Sequence, residues 1–281
     1  MEKITDIKQL KRKAIDLRRD TLTMLSKAGS GHTGGSLSAM DIMVLLYYQH
    51  MNIDSKDPEK VDRDKFILSK GHACPTLYAI LADLGFFPRE DLWTLRKLGS
   101  PLQGHAHRGV PGVEISSGSL GQGLSIANGM ALANRMNNLD AQVYCLMGDG
   151  ETNEGQVWEA AMTAAHYKLA NLCAIIDCNK LQIDGKCCEV MEPRDHAKKW
   201  ESFGWHVIET DGHDFVTLKD AFDEAATVSD RPQMIIAHTI KGKGISFIEN
   251  QVGWHGIAPK EDELKKALAE LDEQEKELDS E

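Results

Sequence analysis

The stretch Gln142-Val-Tyr-Cys-Leu-Met-Gly-Asp-Gly-Glu-Thr-Asn-Glu-Gly155 decides the fold. Gln142 to Met147 is a short apolar run with the length of a buried strand. Gly148-Asp149-Gly150 breaks it, and EGQVWEAAMTAAHYKL (154–169) reads as a helix. LCAIID (172–177), WHVIET (205–210) and QMIIAHT (233–239) repeat the strand pattern, with helices expected near 192–203 and 214–228. Short buried strands alternating with helices imply an α/β fold: a mostly parallel sheet with helices on both faces.

Working outward, Ile7, Leu10, Ala14, Leu17, Thr21 and Leu25 keep the three-to-four spacing of an amphipathic helix. AGSGHTGG (28–35) ends it, and the glycines place the next helix start near Ser36 or Ser38, running through Tyr48. KFILS (65–69) is a further strand, followed by a helix with Pro75 in its first turn. SSGSLGQG (116–123) opens a helix that ends near Asn138. The tail EDELKKALAELDEQEKELDSE is a charged helix, 260–278, read as solvated. No repeat, low-complexity tract or linker divides the 281 residues, which are expected to form one domain.

The net charge of −11 opposes a general nucleic-acid or anionic-membrane surface. Six cysteines (Cys74, Cys145, Cys173, Cys178, Cys187, Cys188) show no C-x-x-C pair and read as reduced thiols. The first twenty residues lack a signal peptide's apolar core, and the apolar run Ile42–Tyr48 is too short to span a bilayer. A soluble, cytoplasmic protein is expected.

Asp149 and Asn179 each fall just past the carboxyl end of an expected strand, one strand–helix–strand unit apart. A right-handed crossover brings such strands together at the edge where open α/β sheets hold ligands. A carboxylate and a carboxamide are hard oxygen ligands suited to Mg²⁺ or Ca²⁺, with other ligands drawn from water, backbone carbonyls and phosphates. Gly148 and Gly150 let the backbone approach a diphosphate, and the helix starting near Glu154 points its amides there. The spacing suggests a metal–diphosphate clamp. The competing reading is a tight turn with Asp149 as helix cap. G-D-G-x-x-N alone is weak; followed by Asn179-Lys-Leu-Gln-Ile-Asp-Gly185, it is strong.

With that pair of motifs the chain resembles the N-terminal, thiamine-diphosphate-binding part of transketolases, over residues from about 10 to 262. SGHTGG (30–35), LSKGHACPTLYA (68–79), GHAHRGVPGVEISSGSLGQG (104–123), IKGKG (240–244) and VGWHG (252–256) carry the resemblance as well. It implies that His72 contacts the diphosphate of the cofactor. His32 and His105 would lie beside the reacting carbons and the donor hydroxyls. His255 would reach both diphosphate and substrate. Gly118, Ser119 and Leu120 would bracket the cofactor rings, Ser119 standing where many members have proline. Gly148, Asp149, Gly150, Asn179 and Lys241 would complete the cofactor contacts, with Lys70 nearby. Asp149, Asn179 and Leu181 would hold the metal, and Glu154 matches a networked glutamate near the centre. Gly35 replaces a substrate-contacting serine of some relatives. His107 has no clear counterpart, and His213 reads as a turn residue. His50, His166, His196, His206 and His238 read as packing or surface residues.

The implied activity is ketol transfer from a ketose phosphate to an aldose phosphate through thiamine diphosphate, as in the pentose phosphate pathway, with ping-pong kinetics. A full transketolase is more than twice as long, and its pyrimidine-binding domain, with the activating glutamate, has no counterpart after Lys260. The expected partner is therefore a separate C-terminal subunit in an α2β2 assembly. Alternatives are a sulfosugar or apulose-phosphate transketolase subunit, deoxyxylulose-phosphate synthase, a 2-oxoacid dehydrogenase α subunit, or a non-catalytic diphosphate-binding protein. A histidine-rich metallohydrolase fails because no H-E-x-x-H exists.

Overall fold

The computed structural model describes residues 3–280. Its main sheet holds β1 (Lys65–Leu68), β2 (Val143–Gly148), β3 (Leu172–Cys178), β6 (His206–Asp211) and β7 (Gln233–His238), all parallel, in the order β1-β2-β3-β7-β6. The register pairs Gly148 with Asp177 and Cys178 with His238, so the strands finish along one edge. An antiparallel ribbon, β4 (Leu181–Gln182) with β5 (Gly185–Lys186), follows β3 there.

Strand alternation divides the core. Leu146, Cys173, Ile175 and Ile235 pack with α1 (Ile7–Ala28), α3 (Met40–Leu45), α4 (Cys74–Asp83) and α9 (Phe215–Thr227). Cys145, Met147, Ala174, Ile176 and Ile236 pack with α5 (Gln122–Met136), α6 (Gly155–His166) and α8 (His196–Ser202). Both sheet faces are covered, which is why these strands read as apolar runs rather than alternations. Short helices α2 (Thr33–Ser38) and α7 (Cys187–Val190) sit beside the sheet's carboxyl edge.

Two expectations need correction. The second helix starts at Thr33, not near Ser36 or Ser38. Gly34 serves close packing there: a Cβ would stand 3.0 Å from Lys241 Cγ and from the Trp254 carbonyl. The charged tail is also no solvated helix. In α10 (Glu261–Ser280), Ala267, Leu271 and Leu278 are buried in a small core with Ile15, Leu22 and Ile245. Arg19 adds pairs to Asp272 (2.9 Å) and Glu275 (2.7 Å). Such part-exposed pairs contribute about 0–1 kcal/mol each, so apolar burial holds the helix. Among the described residues no helix is long and apolar enough to cross a membrane.

Candidate functional site

At the end of β2 the Asp149 side chain is buried; Oδ1 accepts from Gly150 N (2.8 Å) and Oδ2 from Lys180 N (2.5 Å). It thus ties the end of β2 to the segment after β3 and caps the short turn Gly150–Asn153; Glu154 holds the N-cap position of α6 without a side-chain capping bond. Burial and the neighbouring Asp177 carboxylate push the Asp149 pKa up to about 6. At the end of β3, Asn179 Oδ1 accepts from Leu181 N at 3.1 Å. Asp149, Asn179 and Leu181 face one cavity of about 490 Å³. The convergence expected from the crossover is present.

Two buried acids that the sequence reading passed over organise this edge. Glu151 accepts from Gly148 N (3.0 Å), from Gly121 N (2.8 Å) and from Ser69 Oγ. One carboxylate therefore joins the ends of β1 and β2 to the start of α5. Gly123 completes that approach, since a Cβ there would stand 2.3 Å from Ser69 Oγ. Asp177 is fully buried and accepts from Lys70 Nζ, Ser38 Oγ (2.6 Å), Thr239 Oγ1 and Asn179 Nδ2 (3.4 Å). The last contact turns the Asn179 amide so that its oxygen is the atom left for Leu181 N and the cavity. An aspartate closing the apolar run LCAIID was the available signal, because a buried carboxylate requires partners.

Four histidines meet above these loops. His32 lies 5.0 Å from His72, 5.9 Å from His105 and 5.7 Å from His255, centroid to centroid. Burial, with the nearby His105, Arg96 and Lys241, pushes His32 down to about 4. Burial and Lys70 hold His72 well below its usual value, and burial with Arg96 lowers His105. Burial and Lys241 bring His255 to about 3. All four are thus neutral at pH 7. Lys241 is 1 % exposed and lowered to about 8 by burial and Lys70, so it is still mostly charged at pH 7. Its Nζ donates to His255 Nδ1 (2.6 Å), which leaves the His255 ring proton on Nε2. Lys70 and Lys241 are therefore interior cations.

Gly35, Gly118, Leu120, Gly148, Gly150 and Glu154 line the same cavity. Ser119 does not; it is exposed and lines a separate small depression. His107 lies outside too, its Nδ1 accepting from Gly109 N at 3.0 Å. His213 is more than a turn residue: Nδ1 meets Asp41 Oδ2 (2.7 Å) and Nε2 accepts from Ile240 N (2.8 Å), bracing the loop that carries Lys241. Two larger cavities, about 890 and 710 Å³, lack the histidine cluster, so size does not mark the site. Among the described residues no three His, Cys, Asp or Glu side chains are placed to hold a metal ion. A divalent ion would rely on Asp149, the Asn179 amide oxygen and a backbone carbonyl, a hard-oxygen set.

The matching family model, described as "Transketolase, thiamine diphosphate binding domain", spans residues 10–277. The chain belongs to the transketolase family. It is 44 % identical over 266 residues to the 6-deoxy-6-sulfo-D-fructose transketolase subunit SqwG of Clostridium sp., covering 94 % of this chain and 97 % of that one. It is 40 % identical over 264 residues to an apulose-4-phosphate transketolase subunit of Phocaeicola vulgatus, covering 94 % of each. Among solved structures, Campylobacter jejuni transketolase superposes with a TM-score of 0.90 at 34 % identity, over 95 % of this chain and 43 % of that chain. This chain therefore corresponds to the N-terminal part of a transketolase and spans less than half the length of that one.

Proposed function

We propose that this chain is the cofactor-binding subunit of a two-chain transketolase. It would transfer a two-carbon ketol unit from a ketose phosphate, with xylulose 5-phosphate as the pentose phosphate pathway donor, to an aldose phosphate. The observation that carries this reading is the meeting of Asp149 and Asn179 with four neutral histidines and Lys241 in one cavity.

The cavity fits thiamine diphosphate. About 490 Å³ lies within the range of small-molecule pockets. Its wall holds a carboxylate raised to about 6 by burial and Asp177, a charge that a cation would offset. The buried Nδ1 of His32 has no partner among the described residues. Asp149, Asn179 Oδ1 and the Leu181 carbonyl would hold Mg²⁺, and His72, Lys241, Gly148 and Gly150 would hold the diphosphate. Gly118 and Leu120 would flank the rings, with Ser119 at the turn between them. The bound cofactor supplies an electron sink for the cleaved carbon–carbon bond.

The protein's own groups then handle protons. A neutral imidazole accepts at one nitrogen and donates at the other, so His32 and His105 suit proton transfer at the substrate hydroxyls. Nε2–H of His255 is a fixed donor, because Lys241 occupies the other nitrogen. Glu154 stands at the cavity wall and at the start of α6, where it would join the partner's groups. The pyrimidine-binding half would come from a C-terminal subunit in an α2β2 assembly.

A second reading concerns the sugar. The names of two relatives matched over 94 % of this chain specify a sulfosugar and apulose 4-phosphate. The test is ketol transfer by the chain mixed with the product of an adjacent reading frame, using xylulose 5-phosphate, 6-deoxy-6-sulfofructose and apulose 4-phosphate as donors. Robust turnover by this chain alone would refute the two-chain reading. Calorimetric binding of thiamine diphosphate that ignores both Mg²⁺ and Asp149→Ala would refute the clamp.

A further inference from the structure

A second cavity, about 710 Å³, adjoins the first at the ends of β2 and β3. It shares only Asp149, Asn179 and Leu181 with the first, so these residues border both spaces. Three features separate it from an incidental gap. His196 lines it at 8 % exposure, and both of its ring nitrogens are buried without a hydrogen-bond partner. Native interiors rarely leave such groups unpaired. Burial pushes its pKa down to about 4, so the ring is neutral at pH 7, with one donor and one acceptor unused.

Backbone strain gathers in the same place. Of the six non-glycine residues with left-handed backbone among the described residues, Lys180 (φ 65°), Arg194 (φ 62°) and Asn250 (φ 57°) all line this cavity. Strained backbone clusters where a structure is shaped around a ligand or a switch. The third feature is charge. Asp195 is engaged by Lys198 N (3.0 Å), Glu209 by His238 (2.8 Å) and Glu192 by Arg194 (3.6 Å). Asp149, which also lines the cavity, is held by Gly150 N (2.8 Å) and Lys180 N (2.5 Å), and among the described residues the Lys180 ammonium has no ion-pair partner.

We propose that this cavity binds a small amphiphile with an apolar body and an anionic head. The body would lie against Ile236, Ile240, Pro193 and Ala197, the head would meet Lys180, and a polar group near it would pair with His196. This site goes beyond the cofactor reading and does not depend on it. Its occupant would touch Asp149, Asn179 and Leu181, the residues that also line the first cavity.

The test uses the full chain without cofactor and 8-anilinonaphthalene-1-sulfonate as the probe. Histidine Cε1 carbons are labelled, and His196→Gln assigns the His196 signal. The expected result is saturable binding that moves the His196 signal and leaves that of His166, on α6, in place. Ala197→Trp, which fills the cavity, should weaken binding at least about tenfold while keeping the thermal transition. No saturable binding, or a His196 signal unmoved at saturation, overturns the proposal. So does undiminished affinity in a folded Ala197→Trp chain. The wild-type spectra decide the matter even where the tryptophan variant fails to fold.

Discussion

Replacing Lys70 with Met removes the one ammonium bonded to the Asp177 carboxylate. Lys70 is 2 % exposed and Asp177 is 0 % exposed, and Lys70 Nζ also donates to the Gly35 carbonyl at 3.0 Å. After Lys70→Met, the carboxylate keeps only neutral donors, from Ser38, Thr239 and Asn179. Breaking a buried pair from one side costs roughly 3–5 kcal/mol. Against a total stability of about 5–15 kcal/mol, that is a large fraction. Urea unfolding of the cofactor-free chain at pH 7 should show a lower midpoint with an unchanged slope. Adding Asp177→Asn should restore about 1–3 kcal/mol, because the stranded charge is then gone. Burial pushes the Asp177 pKa up, but the charge of Lys70 and three side-chain hydrogen bonds leave it below the ordinary 3.8 of an aspartate. Its contribution is thus present above 3.8 and lost only as pH falls through the lower folded value. In Lys70→Met only neutral donors oppose burial, so the stranded carboxylate's pKa rises and the cost of the substitution should be smaller at pH 5 than at pH 7. A loss under about 1 kcal/mol, or a double variant no more stable than Lys70→Met, would refute the pairing argument.

Three further outcomes follow from the same physics. A cation binds ionised Asp149, whose pKa is about 6, so Mg²⁺-dependent cofactor affinity should be flat above pH 7 and fall below 6, as read by calorimetry. In the metal-free chain the sign reverses: ionised Asp149 costs stability, and that cost is relieved as pH falls through 6 toward 3.8. His32 and His255, lowered to about 4 and about 3 from 6.5, should hold their Cε1 shifts between pH 7 and 5; their contribution to stability is lost as pH falls from 6.5 toward those values. In α10, Leu271→Ala should cost roughly 2–5 kcal/mol and Glu275→Gln under about 1 kcal/mol in chemical denaturation, since the leucine is buried and the glutamate pair is part-exposed.

The strand ladder was legible because β2, β3 and β7, at the doubly covered centre of the sheet, are short apolar runs. The meeting of Asp149 and Asn179 was legible because one crossover unit separates them. Gly34 misled, since glycine marks both a helix break and a close approach, and local sequence does not say which. The docking of α10 depends on a distant partner, α1, and only three of its apolar residues, Ala267, Leu271 and Leu278, are buried among many charges, which gives a faint stripe. Asp177, Glu151 and His213 act through contacts with remote segments. Their roles needed the tertiary structure, although a carboxylate closing LCAIID was a usable warning.

Glu151 has a kinetic meaning as well as a geometric one. Ser69, Gly121 and Gly148 belong to three segments far apart in sequence, yet all converge on one side chain. None of the three can swing outward without releasing the same tether. Deuterium should therefore enter the Gly121 and Gly148 amides on a common timescale, and the mouth of the cavity should breathe as one body rather than as three independent flaps.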